Sequence, residues 1–198
     1  TSSTNLVKNF DITVPRPGQP TIDFISNNTS TFKWKSGKDG RRYDAFIRFW
    51  FEEVLNNNDT IDRYIDWKIG SLKAKNLNGG EEMTLQYTPL AIYDISKSLI
   101  PRTGNEKDGF KESDVRARLT NKVEFTIVVS GDALNTYLDV NGPSSGIVQD
   151  RPEYTNIKNG LGLFSSRYTK HNSIQIGAQT EAKFLAIEGL KFVNKIGN

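Results

Sequence analysis

The sequence predicts a mainly β domain, a β-sandwich with two or three short helical crossovers. Three observations carry that expectation. Aromatic and β-branched residues crowd into short stretches of period two, turn residues punctuate those stretches, and the helical period appears only briefly. No longer repeat interrupts the pattern. The expected organisation is a flexible lead-in over residues 1–9 followed by a single β-rich domain over 10–198.

The chain is organised around a predicted hairpin from Tyr43 to Ile69. Its first arm, Tyr43 to Val54, holds five aromatic residues in twelve, too many rings for an ordinary surface helix. Its second arm, Asp62 to Ile69, alternates charged and apolar residues, and Asn56-Asn57-Asn58-Asp59-Thr60 between the arms is turn chemistry. Side chains of period two divide this hairpin into two faces. Ala45, Ile47, Phe49 and Phe51 are uniformly apolar and belong in the core with Ile65, Trp67 and Ile69. Phe46, Arg48, Trp50 and Glu52 mix rings with charges, and Tyr64, Asp66 and Lys68 line the same face.

Ahead of the hairpin, Phe10 to Val14 alternates like a first strand. Pro15, Pro17, Gly18 and Pro20 end it, and proline confines the stretch to an edge or a connector. Thr21 to Ile25 and Ser30 to Lys35 read as two further strands around an Asn27-Asn28 turn, with Phe32 and Trp34 on one face. Ser36 to Arg42 is a turn; it contains glycine and lysine but lacks the spacing and the following helix of a phosphate loop.

Beyond the hairpin, residues 71–75 continue the second arm, and Asn78-Gly79-Gly80 turns into a strand from Met83 to Tyr87. Thr88 and Pro89 then open a helix that closes at Pro101. Residues 102–114 read as an exposed loop, Val123 to Val129 as a strong strand, and Gly131 to Leu138 as a short helix. A loop at 141–146, a short strand ending at Phe164, and another strand at Ser173 to Ile176 follow. Thr180 is expected to cap a last helix over 181–188, with Gly189 as its stop.

Composition narrows the function classes. A chain of 198 residues buries about 70% of its unfolded surface, enough for one large domain. Hydrophobic residues make up 36% and charged residues 25%, which fits a packed core under a solvated surface. The 26 basic and 23 acidic residues give a net charge of +3, scattered along the chain, so no nucleic-acid partner is expected. There is no cysteine and a single histidine, His171, so these residues hold no thiolate nucleophile and no multi-histidine metal site. No metal and no cofactor are assigned. No apolar run approaches the ~20 residues that cross a bilayer. The first residues lack the pattern of a secretory signal, so the chain is expected to begin after any targeting segment.

No residue constellation names a reaction. Glu52-Glu53 and Glu81-Glu82 are adjacent pairs whose members point to opposite faces of a strand, so neither pair flanks one bond. His171 lies in a polar stretch with no Gly-x-Ser-x-Gly elbow in the chain, and Gly160-Leu161-Gly162 has no helix to open. The catalytic assignment is therefore none. The candidate ligand-binding residues are Phe46, Arg48, Trp50, Tyr64 and Lys68, because rings stack on apolar faces of a sugar or peptide while charges fix orientation.

The segment Tyr154-Thr155-Asn156-Ile157-Lys158-Asn159-Gly160-Leu161-Gly162-Leu163-Phe164-Ser165-Ser166 resembles the closing segment of uncharacterised surface lipoproteins from Bacteroidetes. Phe32-Lys33-Trp34 followed by Tyr43-Asp44-Ala45-Phe46-Ile47 is similar to the start of a fibronectin type III-like domain in such proteins. The likenesses touch about a third of the chain. They imply an immunoglobulin-like sandwich in an exported, outer-membrane or cell-surface protein, with the membrane reached only through a lipid anchor outside this chain. Asp59-Thr60-Ile61 is similar to the acceptor pattern for O-glycosylation in these bacteria. Together these readings predict a non-enzymatic surface module that binds a glycan or an envelope protein or packs within a larger assembly. The rival expectation is a carbohydrate-active enzyme using two carboxylates on a sheet face.

Overall fold

The computed structural model describes residues 4–101, 111–141 and 154–194. Strands β1 (Ile12–Val14), β2 (Thr21–Ile22), β3 (Ser30–Lys35), β4 (Arg42–Leu55), β5 (Thr60–Lys73) and β6 (Glu82–Tyr87) precede helix α1 (Ala91–Leu99). A 3-10 turn at Glu112–Asp114, β7 (Val115–Ser130), α2 (Asp132–Val140), β8 (Arg167–Ile176) and α3 (Ala178–Leu185) complete the order. Among the described residues the fold is mainly β with three α-helices, as the sequence predicts. A five-stranded sheet, β2-β8-β7-β4-β5, curls into a half-barrel, and β1-β3-β6 form a small second sheet.

The hairpin forms as its alternation demands. β4 and β5 pair antiparallel from Arg42↔Lys73 to Val54↔Thr60, and Asn58 takes φ 69° in the turn, a conformation asparagine tolerates. Tyr43, Ala45, Ile47, Phe49 and Phe51 are all buried, whereas their neighbours along β4 are half-buried. On β7, Val123, Phe125, Ile127 and Val129 extend the same apolar face. Phe32 and Trp34 of the small sheet press on it, with the Phe32 ring 5.2 Å from Phe125 and the Trp34 ring 6.1 Å from Tyr43. Ile92 and Tyr93 of α1 and Phe184 of α3 fill the remaining core.

Two bulges adjust which residues face inward. In β5, Ala45 pairs with Gly70 and Phe46 with Lys68, so Ile69 is the extra residue and only half-buried. Gly70 then faces inward, where an added Cβ would stand 3.2 Å from Leu85 of β6. In β7, Phe49 pairs with Val123 but Phe51 with Thr120, so the parity of the buried residues reverses beyond the bulge. Arg118 and Thr120 thereby point inward, while Val123 and Phe125 do so on the other side.

Several expected elements take another form. Residues 5–9, expected as a free lead-in, run along the body: Val7 is buried, Lys8 N donates to Lys38 O at 2.9 Å, and Tyr168 Oη donates to Asn9 Oδ1 at 2.9 Å. Thr21 to Ile25 is not one arm of a hairpin with β3. Only Thr21–Ile22 are strand, paired parallel to β8, because the stretch after the prolines is taken up by a partner more than 150 residues away. The strand expected to end at Phe164 is instead a braced loop. Thr155 Oγ1 donates to Gly162 O at 2.9 Å, and Asn156 bonds both Phe164 N and Phe164 O, so side chains occupy the groups a strand partner would use. The last helix begins three residues earlier than expected, with Gly177 at its N-cap and Thr180 inside it. The loop expected at 102–114 lies mostly outside the described residues, as do residues 142–146 of the loop expected at 141–146.

Candidate functional site

The five candidate residues lie on the outer face of the five-stranded sheet, placed there by the same alternation that buries Ile47 and Phe49. Arg48 sits opposite Asp66, Trp50 opposite Tyr64, and Phe46 opposite Lys68. The structure brings four of them into one cluster. Arg48 donates from Nε and Nη2 to the two Asp66 oxygens at 2.7 and 2.9 Å, a bidentate pair. Those hydrogen bonds raise the Arg48 pKa further above its ordinary value, against the partial desolvation that lowers it. The guanidinium lies 3.9 Å from the Tyr64 ring centroid and 5.7 Å from those of Phe46 and Trp50. The Trp50 and Tyr64 rings are themselves 4.9 Å apart. Tyr64 is 49% exposed. It is therefore an accessible ring backed by a cation that is itself fixed by a carboxylate.

Lys68 stands apart from this stack and borders a shallow hollow of about 320 Å³ beside it. Phe46 and Ala45 give the hollow an apolar floor, Arg42, Asp44, Asp66 and Lys68 supply charge, and Leu138 of α2 closes one side. Asp44 accepts hydrogen bonds from Ser71 Oγ and from Arg42 Nε, the latter at 3.3 Å, so its carboxylate is fixed as well.

β7 and β8 widen the face with residues outside the hairpin. Glu124 lies opposite Arg48, forms an ion pair with Lys122 at 2.9 Å, and accepts from Ser173 Oγ at 3.1 Å. Burial raises the Glu124 pKa, but the contacts from Lys122 and Ser173, with the Trp50 indole beside them, outweigh it and hold the carboxyl below its usual range. The Trp50 Nε1 dipole contributes to that lowering while lying outside normal hydrogen-bond geometry, so the buried indole N–H has no acceptor among the described residues. Lys122 Nζ also lies 5.6 Å from the Trp50 ring centroid. These contributors were not legible in the hairpin, since they depend on which distant strands pair with it. His171 is exposed on β8, opposite Thr126, on this same face.

A second polar cluster sits inside the molecule. Arg118, fully buried, donates from Nε to Glu53 Oε1 at 3.0 Å and from Nη2 to Glu112 Oε2 at 2.9 Å. Its remaining donors reach Leu190 O and Pro101 O, each at 2.9 Å. Arg63 Nε binds the other Glu53 oxygen at 3.0 Å, and Lys191 Nζ lies 3.4 Å from Glu112 Oε1. Every charge here is engaged by protein, which makes it a fastening between β4, β7, the 3-10 turn and the C-terminal segment. Among the described residues there is no group of acidic and histidine side chains with the arrangement of a metal site.

No family model matches the chain, and no curated protein matches it. Among solved structures it is similar to Spo0M, a sporulation control protein from Bacillus subtilis, at 12% identity and a TM-score of 0.29. The match covers 86% of this chain and 48% of that one, so this chain spans about half of that structure's length.

Proposed function

We propose that this protein is a non-enzymatic cell-envelope surface module that binds a glycan on the outer face of its five-stranded sheet. One observation carries the reading: Tyr64, half-exposed, is stacked on Arg48, which Asp66 fixes in place beside a hollow floored by Phe46. A ring held this way offers a face for a pyranose at little cost in side-chain entropy, and the charged rim supplies hydroxyl partners. Supporting the fold half of the reading, Phe32 and Trp34 join the two sheets across one core, which favours a sandwich of the fibronectin or immunoglobulin-like kind. Export to the outer membrane or cell surface rests on the resemblance of the Tyr154 to Ser166 segment to Bacteroidetes lipoproteins.

The rival reading, a carbohydrate-active enzyme, requires a carboxyl kept protonated near neutral pH to act as a general acid. Glu124 on this face is held the other way. A glycan array probed with the intact protein beside Tyr64→Ala and Trp50→Ala decides the matter. Binding lost by about tenfold or more in Tyr64→Ala supports the surface. Binding unchanged in both variants removes it, and release of new reducing ends from a bound glycan would establish the enzyme instead.

A further inference from the structure

We propose that β5 is the interface of a symmetric dimer, pairing edge to edge with β5 of a second copy of this chain in a single register centred on Ile65. β5 is an edge strand of 14 residues. Among the described residues no hydrogen bond from outside β4 reaches its backbone between Thr60 and Lys73, so one side of a long ladder has no partner. Charges on an edge ordinarily discourage such pairing. Here their order makes the antiparallel self-pairing centred on Ile65 attractive.

With Ile65 opposite Ile65 of the second copy, Asp62 stands opposite Lys68, and the two-fold axis repeats that pair. Tyr64 stands opposite Asp66, also twice, where a phenol can donate to a carboxylate. Asp62, Tyr64, Asp66 and Lys68 are all exposed, and neither Asp62 nor Lys68 belongs to an ion pair among the described residues. Sliding the register by two residues in either direction sets aspartates against each other, Asp62 against Asp66 one way and Asp66 against Asp66 the other. The favoured register also uses only the regular part of the strand, because the bulge at Ile69 begins just past Lys68.

The consequence is a sheet running continuously through both copies, with the two Tyr64 rings on one face across the axis. The inference does not depend on the glycan reading, and its test contains no glycan. Sedimentation velocity of the full chain over a range of concentrations is expected to show a reversible dimer. Asp62→Lys or Lys68→Asp alone turns two attractive pairs into two repulsive ones and weakens dimerisation by about ten- to thirtyfold. Asp62→Lys with Lys68→Asp restores both pairs and returns the dimer. The register is read independently by Asp62→Cys with Lys68→Cys in this cysteine-free chain. Those positions are about 20 Å apart along one strand, so a disulfide between them forms only between copies. Oxidation to a covalent dimer supports the interface. A chain monomeric at every concentration, a dimer indifferent to the single reversals, or a double reversal as weak as the singles overturns it.

Discussion

Glu53 is the residue on which the interior turns. The alternation that buries Phe49 and Phe51 carries on to Glu53, so a carboxylate arrives on the core face of β4 and needs a cation there. The bulge in β7 supplies it by reversing parity so that Arg118 faces inward at the position directly opposite Glu53. Arg118 then meets two carboxylates and two backbone carbonyls, a set that suits a planar fork of donors. Arg118→Met removes the cation and leaves Glu53 and Glu112 buried with reduced compensation. We expect a loss of about 3–5 kcal/mol of unfolding free energy, measured by urea denaturation. Arg118→Lys is expected to recover only part of it, because one ammonium cannot reach the four partners. A variant within 1 kcal/mol of the parent, where ~1 kcal/mol is what an exposed pair contributes, would mean that water reaches the cluster.

At the scale of elements, α3 shows a helix start assembled from distant chain. Gly177 holds the N-cap position and brings no side chain, and Asp23, just past β2, takes its place by accepting from Thr180 N at 2.8 Å. Thr180 answers by accepting from Phe24 N at 2.6 Å, so two otherwise orphaned N–H groups are satisfied reciprocally. A Cβ at Gly177 would collide with the Asp23 carboxylate. Asp23→Ala is expected to cost about 1 kcal/mol, and Gly177→Ala more. Combining Asp23→Ala with Gly177→Ser removes the collision and restores a cap within the helix, so the double variant should regain most of the loss in thermal unfolding. Recovery no better than Asp23→Ala alone would show that the tie between β2 and α3 matters more than the cap. This element also marks what sequence reasoning reaches. The β4–β5 hairpin, its two faces and the candidate cluster were legible because period two and a turn are local signals. The parallel pairing of β2 with β8, the Asp23 cap, and the arrival of Lys122 and Glu124 beside Trp50 depend on contacts across long separations. Glu53 was the missed clue, since an acid that continues the apolar face of a strand calls for a cation buried beside it.

Across the whole molecule, two tyrosines join the sheets and make the assembly sensitive to alkali. Tyr43 on β4 is fully buried, touches Trp34 of the small sheet, and exchanges hydrogen bonds with the Gly37 backbone at 2.9 and 3.2 Å. Tyr87 on β6 packs on Phe125 and Trp67 of the large sheet. Burial is the main cause that pushes each phenol up to about 12 from the ordinary value of 10.0. Because the folded chain holds both protons more tightly than the unfolded chain, the stabilisation is complete below pH 10 and is lost as the pH rises through about 12. Urea midpoints are therefore expected to fall between about pH 10 and 12, where the unfolded phenols ionise and the folded ones do not. Absorbance at the phenolate band should show Tyr43 and Tyr87 titrating only with the loss of structure. Tyr43→Phe lowers stability at neutral pH by about 1–3 kcal/mol, since Gly37 N–H loses its acceptor, yet it should flatten the alkaline decline. The sign of that difference is decisive: a variant as sensitive to alkali as the parent would mean that Tyr43 ionises without water entering between the sheets.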